Sequence, residues 1–454
     1  MMFPKNFTWG AATSAYQIEG SPTADGKGVS IWDICAKQPG IVVNQENGDV
    51  ACDHYRRFRD DVRIMKEMGL KAYRFSISWP RILPDGTGKV NEKGVKFYSD
   101  LVDELLSNGI IPYVTLFHWD YPEKLMKRGG WLNRECVDWF AEYTRVVVEH
   151  LSDRVDHWLT INEPQCFVKL GYEDGVHAPG MRVGRRYAFD VAHNMLLAHG
   201  KAVQTIRTYA KKKPLIGFAP ALNYVMPDSS DPGDIEAAKQ KMFSCSRDQG
   251  LWCTSWWTEP IYHGHYPEDG LKEFADWLPD YTDEDMKLIS QPLDFFGFNY
   301  YQASRYSDVK KPGYAETAVE WPIEPEGIYY MAKFLQEEYG LPLLITENGM
   351  ANLDWPLWDG CIHDAQRIDY MEQHLKHVHR AMSEGVNILG YMYWSFMDNF
   401  EWNNGCRKRF GLIYVDYMTQ QRIWKDSAHR YKEIIATNGA CLLHADSIVS
   451  REEA

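Results

Sequence analysis

The feature that most constrains this chain is an alternation. Short, nearly unbroken apolar runs take turns with longer amphipathic segments from one end to the other. One such run, containing Leu343, Leu344 and Ile345, stops abruptly at Glu347 with Asn348-Gly349 behind it. A run of that length and β-branched content reads as a buried strand, and Asn-Gly is turn chemistry. The same grammar occurs earlier, where Trp158, Leu159 and Ile161 lead into Asn162-Glu163-Pro164 and the proline forbids continuation. Two glutamates far apart in sequence therefore occupy equivalent ends of two expected strands.

Taken in order, the pattern predicts strands over 7–13, 72–79, 111–117, 157–162, 215–219, 293–301, 341–347 and 387–394. Between them it predicts helices over 53–68, 94–107, 135–151, 186–210, 327–339, 364–384 and 427–436, with a long irregular or helical Trp-rich region up to about residue 290. In the first helix Tyr55, Phe58, Val62, Met65 and Met68 keep helical spacing, and Gly69 follows where a C-cap belongs. Strands that are apolar on both faces and separated by helices form a parallel sheet covered on both sides. Eight of them define an α/β fold, a (β/α)8 TIM barrel with elaborated strand-end loops. A chain of 454 residues has room for about three average domains. No Pro, Gly or Ser tract and no shift in charge density divides it, so residues 1–454 are expected to form a single catalytic barrel domain.

A net charge of -14 and a pI near 5.6 speak against a nucleic-acid partner, since the only basic run is Lys211 to Lys213. The N-terminal residues carry no apolar h-region, and nowhere is there an uncharged stretch of bilayer length. A soluble, cytoplasmic protein without a membrane partner is expected. Nine cysteines, an odd number with no C-x-x-C pair, suit reduced thiols better than a disulfide framework or a zinc site. His374, His377 and His379 read as an exposed helical face, and His363, His263 and His265 as local hydrogen-bonding groups, so no metal is expected. The 17 tryptophans are unusual, and several stand beside polar residues in strand-end loops, where a sugar-stacking surface needs them.

In a barrel of this class the active site lies at the C-terminal ends of the strands. The residues collected there are Gln17, Arg74, His118, Trp119, Asn162, Glu163, Asn299, Tyr301, Glu347 and Trp394, with Glu401 and Trp402 just beyond. They include no phosphate-cradling glycine loop, Schiff-base lysine or metal set. Two carboxylates among neutral hydrogen-bonding groups and indoles suit cleavage of a glycosidic bond, where one carboxyl protonates the leaving oxygen and the other handles the oxocarbenium-like centre. Arg74 and Tyr301 as neighbours would keep Glu347 ionised and fit it for nucleophile duty. Glu163, facing another carboxylate, would have a raised pKa and act as the acid. Either glutamate alone could merely end a strand; both in matching positions, beside Asn162 and Asn348, weigh against that.

At this point the chain resembles family 1 of the glycoside hydrolases nearly end to end. The motifs that carry the resemblance are Phe7-Thr8-Trp9-Gly10 through Gln17-Ile18-Glu19-Gly20, Arg74-Phe75-Ser76-Ile77-Ser78-Trp79, Phe117-His118-Trp119-Asp120, Thr160-Ile161-Asn162-Glu163-Pro164, Asn299-Tyr300-Tyr301, Ile345-Thr346-Glu347-Asn348-Gly349 and the run from Trp394 to Trp402. The resemblance implies a retaining double displacement on a small-molecule β-glycoside, with Glu163 as acid/base and Glu347 as nucleophile. It implies that Gln17, His118, Asn162, Glu401 and Trp402 hold the non-reducing sugar, that Trp394 is its stacking floor, and that Trp321 flanks the leaving-group side. No cofactor is implied. Glu401 accepts from sugar 4- and 6-hydroxyls but would repel a 6-phosphate, which favours a β-glucosidase with galactosidase or fucosidase activity over a 6-phospho-β-glucosidase. A non-catalytic glycan-binding barrel is the third reading, and the two catalytic glutamates oppose it. Gln165 departs from the family, which commonly carries Trp after Asn-Glu-Pro, and this bears on leaving-group preference and the response to product glucose.

Overall fold

A computed structural model describes residues 2–308 and 313–442. Eight parallel strands close into a barrel: β1 (Thr8–Ala12), β2 (Ala72–Ser76), β3 (Ile111–Phe117), β4 (His157–Asn162), β5 (Leu215–Ala219), β6 (Phe295–Asn299), β7 (Leu343–Asn348) and β8 (Ile388–Trp394). Each strand pairs with its sequence neighbours, and β1 pairs with both β2 and β8 to close the ring. The chain is a (β/α)8 barrel.

The covering helices arise from the amphipathic segments: α1 (His54–Met68), α2 (Glu92–Ser107), α3 (Cys136–Leu151), α4 (Arg185–Tyr209), α5 (Asp283–Ile289), α6 (Gly327–Tyr339), α7 (Ala365–Ser383) and α8 (Asp426–Ala436). In α1 the buried positions include Phe58, Val62, Met65 and Met68, and Gly69 closes the helix in the left-handed region at φ 86°. That conformation is where glycine is favoured, because a Cβ would crowd the backbone. Inside the barrel, Ala12, Ala72, Tyr113, Leu159, Ala219, Phe295, Leu344 and Met392 pack into one buried cluster. The lower barrel is thus filled by side chains, and a ligand has room only above this plug, at the strand mouths.

Registers bring the mouth residues to one level. Ala12 lies opposite both Arg74 and Trp394, and Asn299 opposite Glu347. The ladders slip between Leu159 and Asn162, between Phe298 and Asn299, and between Tyr391 and Tyr393. Such irregularities re-aim side chains, and here they fall on the last turns of the strands that carry the candidate site.

The region before residue 290, expected to be irregular or helical, is largely helical, with Pro232–Phe243, Thr254–Tyr262 and Glu268–Glu273 preceding α5, and Val225–Met226 pairs with Ser304–Arg305 in a small sheet above β5 and β6. Three expectations are corrected. The strand predicted over 72–79 ends at Ser76, because Pro80 opens a short helix, Trp79–Ile82, whose first turn needs no amide from proline. His374 does not face solvent: it is fully buried, with its Nδ1 2.7 Å from the Tyr370 carbonyl and its ring 3.9 Å from that of Tyr370. Finally, Cys245 and Cys253 are joined in a disulfide, the turn between two helices having brought their Cα atoms to 5.4 Å. The other seven cysteines are free thiols.

Candidate active site

Glu163 owes its position to the break after β4. The strand ends at Asn162, Glu163 takes a left-handed conformation at φ 41°, and Pro164 starts the helix Pro164–Val168. Its amide donates to the Ala219 carbonyl at 2.9 Å, which fixes the turn against β5. Left-handed backbone is uncommon for a residue with a Cβ, and it recurs at Trp119 (φ 80°) and Trp402 (φ 47°), all three at the barrel mouth.

Glu347 ends β7 and is gripped from two sides. Arg74 Nη1 donates to Oε1 at 2.7 Å and Tyr301 Oη donates to Oε2 at 2.6 Å. Arg74 also donates to Asn162 Oδ1 at 2.6 Å and to Thr115 Oγ1 at 3.1 Å, so strands β2, β3, β4 and β7 are tied by one guanidinium. Asn299 links the two acids: its amide donates to Glu163 Oε1 at 2.9 Å and also acts on the Glu347 carboxylate, while Thr346 Oγ1 donates to its carbonyl at 2.6 Å. The neighbours expected of Glu347 are therefore present.

Their electrostatics differ. Burial and the charge of Glu347 push Glu163 up to about 8, with hydrogen bonds from Asn299 and Cys166 and the charge of Arg74 acting the other way. Burial also raises Glu347, and Arg74 and Tyr301 pull it back. Arg74 and Tyr301 thus favour the ionised form, as expected, but Glu347 is only 3% exposed and desolvation is the largest influence on it.

Both carboxylates open into a cavity of about 490 Å³. Of the other predicted residues, His118, Trp119, Asn299, Tyr301, Trp321, Trp394, Glu401 and Trp402 line it. Trp394 lies 5.6 Å from the His118 ring at 14°, and Trp402 packs 4.7 Å from Trp119. Trp321 stands 5.2 Å from Tyr301. Glu401 accepts from Asn399 Nδ2 at 2.8 Å and Gln17 Nε2 at 3.1 Å, and burial raises it to about 7.

Gln17, Arg74 and Asn162 are brought to the site but stand behind the wall. Gln17 lies in the short helix after β1 and orients Glu401; Asn162 touches Arg74, Asn299 and, at 3.2 Å, His118. Gln165 is buried, and among the described residues its amide meets no partner and it does not line the cavity. One helical turn on from Glu163, Cys166 takes that place and donates to the Glu163 carboxylate. Sequence reasoning also missed His177, Tyr224, Trp252 and Asn404 in the wall. These sit on loops whose approach to the mouth is set by tertiary packing, and only the tryptophan carried a signal.

A packed (β/α)8 barrel whose fourth and seventh strands end in facing glutamates, under a wall of indoles, is the architecture of a glycoside hydrolase. The comparisons agree: residues 1–440 match the family model described as Glycosyl hydrolase family 1, and the chain belongs to that family. It is 46% identical to beta-glucosidase A of Thermotoga maritima over 96% of this chain and 98% of the relative. It is 45% identical to beta-glucosidase A of Acetivibrio thermocellus over 96% of this chain and 99% of the relative. The solved structure of beta-glucosidase from Thermotoga maritima in complex with glucoimidazole superposes with a TM-score of 0.89, covering 96% of this chain and 99% of that one at 46% identity.

Proposed function

We propose that this glycoside hydrolase is a retaining β-glucosidase, removing terminal non-reducing β-D-glucosyl residues from cello-oligosaccharides and aryl glucosides, with β-galactosides and β-fucosides as further substrates. The observation that carries the reading is the unequal treatment of two carboxyls that share Asn299. Glu347 is held by a cation and a phenol, as a nucleophile must be. Glu163 has no cation in contact among the described residues and is lifted to about 8, as an acid at neutral pH must be.

In this reading Glu163 gives its proton to the glycosidic oxygen as Glu347 Oε attacks the anomeric carbon, and the aglycone leaves as an alcohol. The glucosyl ester neutralises Glu347, so Glu163 loses a repulsive neighbour and its pKa falls. It then takes a proton from water as the water attacks the ester, which releases β-glucose and restores both groups. Trp394 and Trp402 supply apolar faces for the ring, and Glu401 with its Gln17 and Asn399 supports accepts from sugar hydroxyls. The names of the two relatives support glucose at this position. The same carboxyl argues against a 6-phosphate, and equal or faster cleavage of a 6-phosphoglucoside would overturn that preference.

Glu347→Ala tests the mechanism. It is expected to lose at least about a thousandfold in kcat on a nitrophenyl β-glucoside and to regain turnover with azide, giving an α-glucosyl azide. Near wild-type hydrolysis by this variant, or a β-azide, would sink the reading. We further propose that residues 1–454 act as one catalytic unit and that it works in the cytoplasm, which the seven free thiols support.

A further inference from the structure

We infer that the loop joining β7 to α7 carries a site for a single thiophilic divalent cation such as Zn²⁺, held by Asp359, Cys361 and His363. The carboxylate oxygen, thiol sulfur and imidazole nitrogen of these residues all lie within 4.8 Å of one another, on the protein surface.

The arrangement around the three ligands is what distinguishes them from a chance surface cluster. His363 Nε2 faces Asp359 Oδ2 at 3.0 Å, while its other nitrogen, Nδ1, is bound at 2.6 Å by Asp426 Oδ2. A carboxylate behind the far nitrogen of an imidazole fixes its tautomer and orientation, and metal-binding histidines are commonly supported this way. Asp359 is oriented too, because its Oδ1 accepts from the Cys361 amide at 2.9 Å, leaving Oδ2 turned toward His363. The backbone is anchored on both sides: Ile362 bridges to Lys425, and Asp364 is buried against Ser427 at 2.8 Å. Asp426, the supporting carboxylate, begins α8, so the site would couple the loop after β7 to the last helix.

Tetrahedral coordination at bond lengths of about 2.0–2.3 Å places ligand atoms about 3.3–3.8 Å apart. The Asp359–His363 pair is already closer than that, and the Cys361 sulfur lies within 4.8 Å of both ligand atoms. A thiolate, an imidazole and a carboxylate select zinc-like ions over Mg²⁺ or Ca²⁺, which take oxygen ligands. The sequence offered no warning, since Asp-Gly-Cys-Ile-His contains no paired ligand motif.

The test is calorimetric titration of the full-length protein with ZnCl₂ after chelator treatment, repeated with CoCl₂ followed by absorbance. We expect one equivalent bound, a thiolate-to-cobalt charge-transfer band, and a higher thermal midpoint when loaded. Cys361→Ser and His363→Ala should each abolish that equivalent and the band while leaving glucoside hydrolysis of the metal-free protein within twofold. Cys166→Ser, at a thiol that lines the cavity beside Glu163, should keep both. Failure of the wild type to bind an equivalent, or retention of the band by Cys361→Ser, overturns the site.

Discussion

The two glutamates make opposite demands on pH. Glu163 must be protonated to act as the acid, so kcat/KM is expected to fall as pH rises through about 8. Glu347 must be ionised to attack, and because burial raises it, the acid limb is expected above the ordinary glutamate range. A pH–rate profile on a nitrophenyl β-glucoside checks both limbs. In Glu347→Gln the Glu163 titration, followed by carbon NMR, should move down, since the charge that raises it is gone; no movement would mean the two groups do not interact. The same shift is a statement about stability. Between the ordinary glutamate value of about 4.3 and about 8, folded Glu163 keeps a proton that the unfolded chain has released. The wild type therefore loses stability as pH climbs through this window. Glu163→Gln escapes that loss and should be more stable at neutral pH by on the order of 1–3 kcal/mol, with the advantage vanishing below about pH 4. Urea unfolding of both proteins at acid and neutral pH decides it.

At the scale of elements, the mouth is built by close backbone approach. A Cβ on Gly349, just past β7, would sit 1.7 Å from the Trp394 carbonyl oxygen at the end of β8. Gly349→Ala must push apart the strand ends that present Glu347 and Trp394, at a cost of about 1–3 kcal/mol. A lowered thermal midpoint with a raised KM for aryl glucosides is expected, and an unchanged KM would show that Trp394 does not respond. The strands themselves were legible because a run apolar on both faces has few other fates, and because Asn-Gly after Glu347 and Pro164 after Glu163 mark where each one stops. Arg74 and Tyr301 could be placed beside Glu347 because strand ends in a closed barrel converge. The covalent pair Cys245–Cys253 could not be read, because a spacing of eight residues fits a turn only once the helices on either side have been placed, and the sequence leaves open the extents of the helices in the β5–β6 excursion because no regular apolar period runs through it. The helix after Pro164 leaves Gln165 off the cavity wall and puts Cys166 on it, a placement that the sequence order alone does not reveal.

For the whole molecule, closing the barrel requires β1 to meet β8 across nearly the full length of the chain, and α8 fastens that seam. Tyr431 Oη donates to the Gly10 carbonyl at 2.7 Å, and Trp9 Nε1 to Asn438 Oδ1 at 3.0 Å. Beside the seam lies a buried charge cluster. Lys425, fully buried, donates to Asp354 at 2.6 Å and to Asp398 at 2.7 Å; Asp354 also binds Arg367 at 2.7 Å, and Asp398 binds Arg409 at 2.5 Å. One ammonium thus joins the loop after β7, the loop after β8 and the start of α8, and the second of these runs on through Asn399 to Glu401. Burying such charges is costly in itself, so the cluster need not add net stability, but removing one member leaves its partners desolvated and undercompensated. Lys425→Met is therefore expected to cost about 3–5 kcal/mol and to weaken sugar binding through displaced Glu401. Adding Asp354→Asn restores the balance, since the lost cation is then matched by one lost carboxylate while Arg367 keeps Asp364 and Arg409 keeps Asp398. Should chemical denaturation find the double variant no more stable than Lys425→Met, the loss comes from packing of the lysine stem rather than from uncompensated carboxylate charge. Recovery of stability without recovery of glucose affinity would instead show that the ionic links, and not merely a filled volume, hold the β8 loop in register with the sugar site.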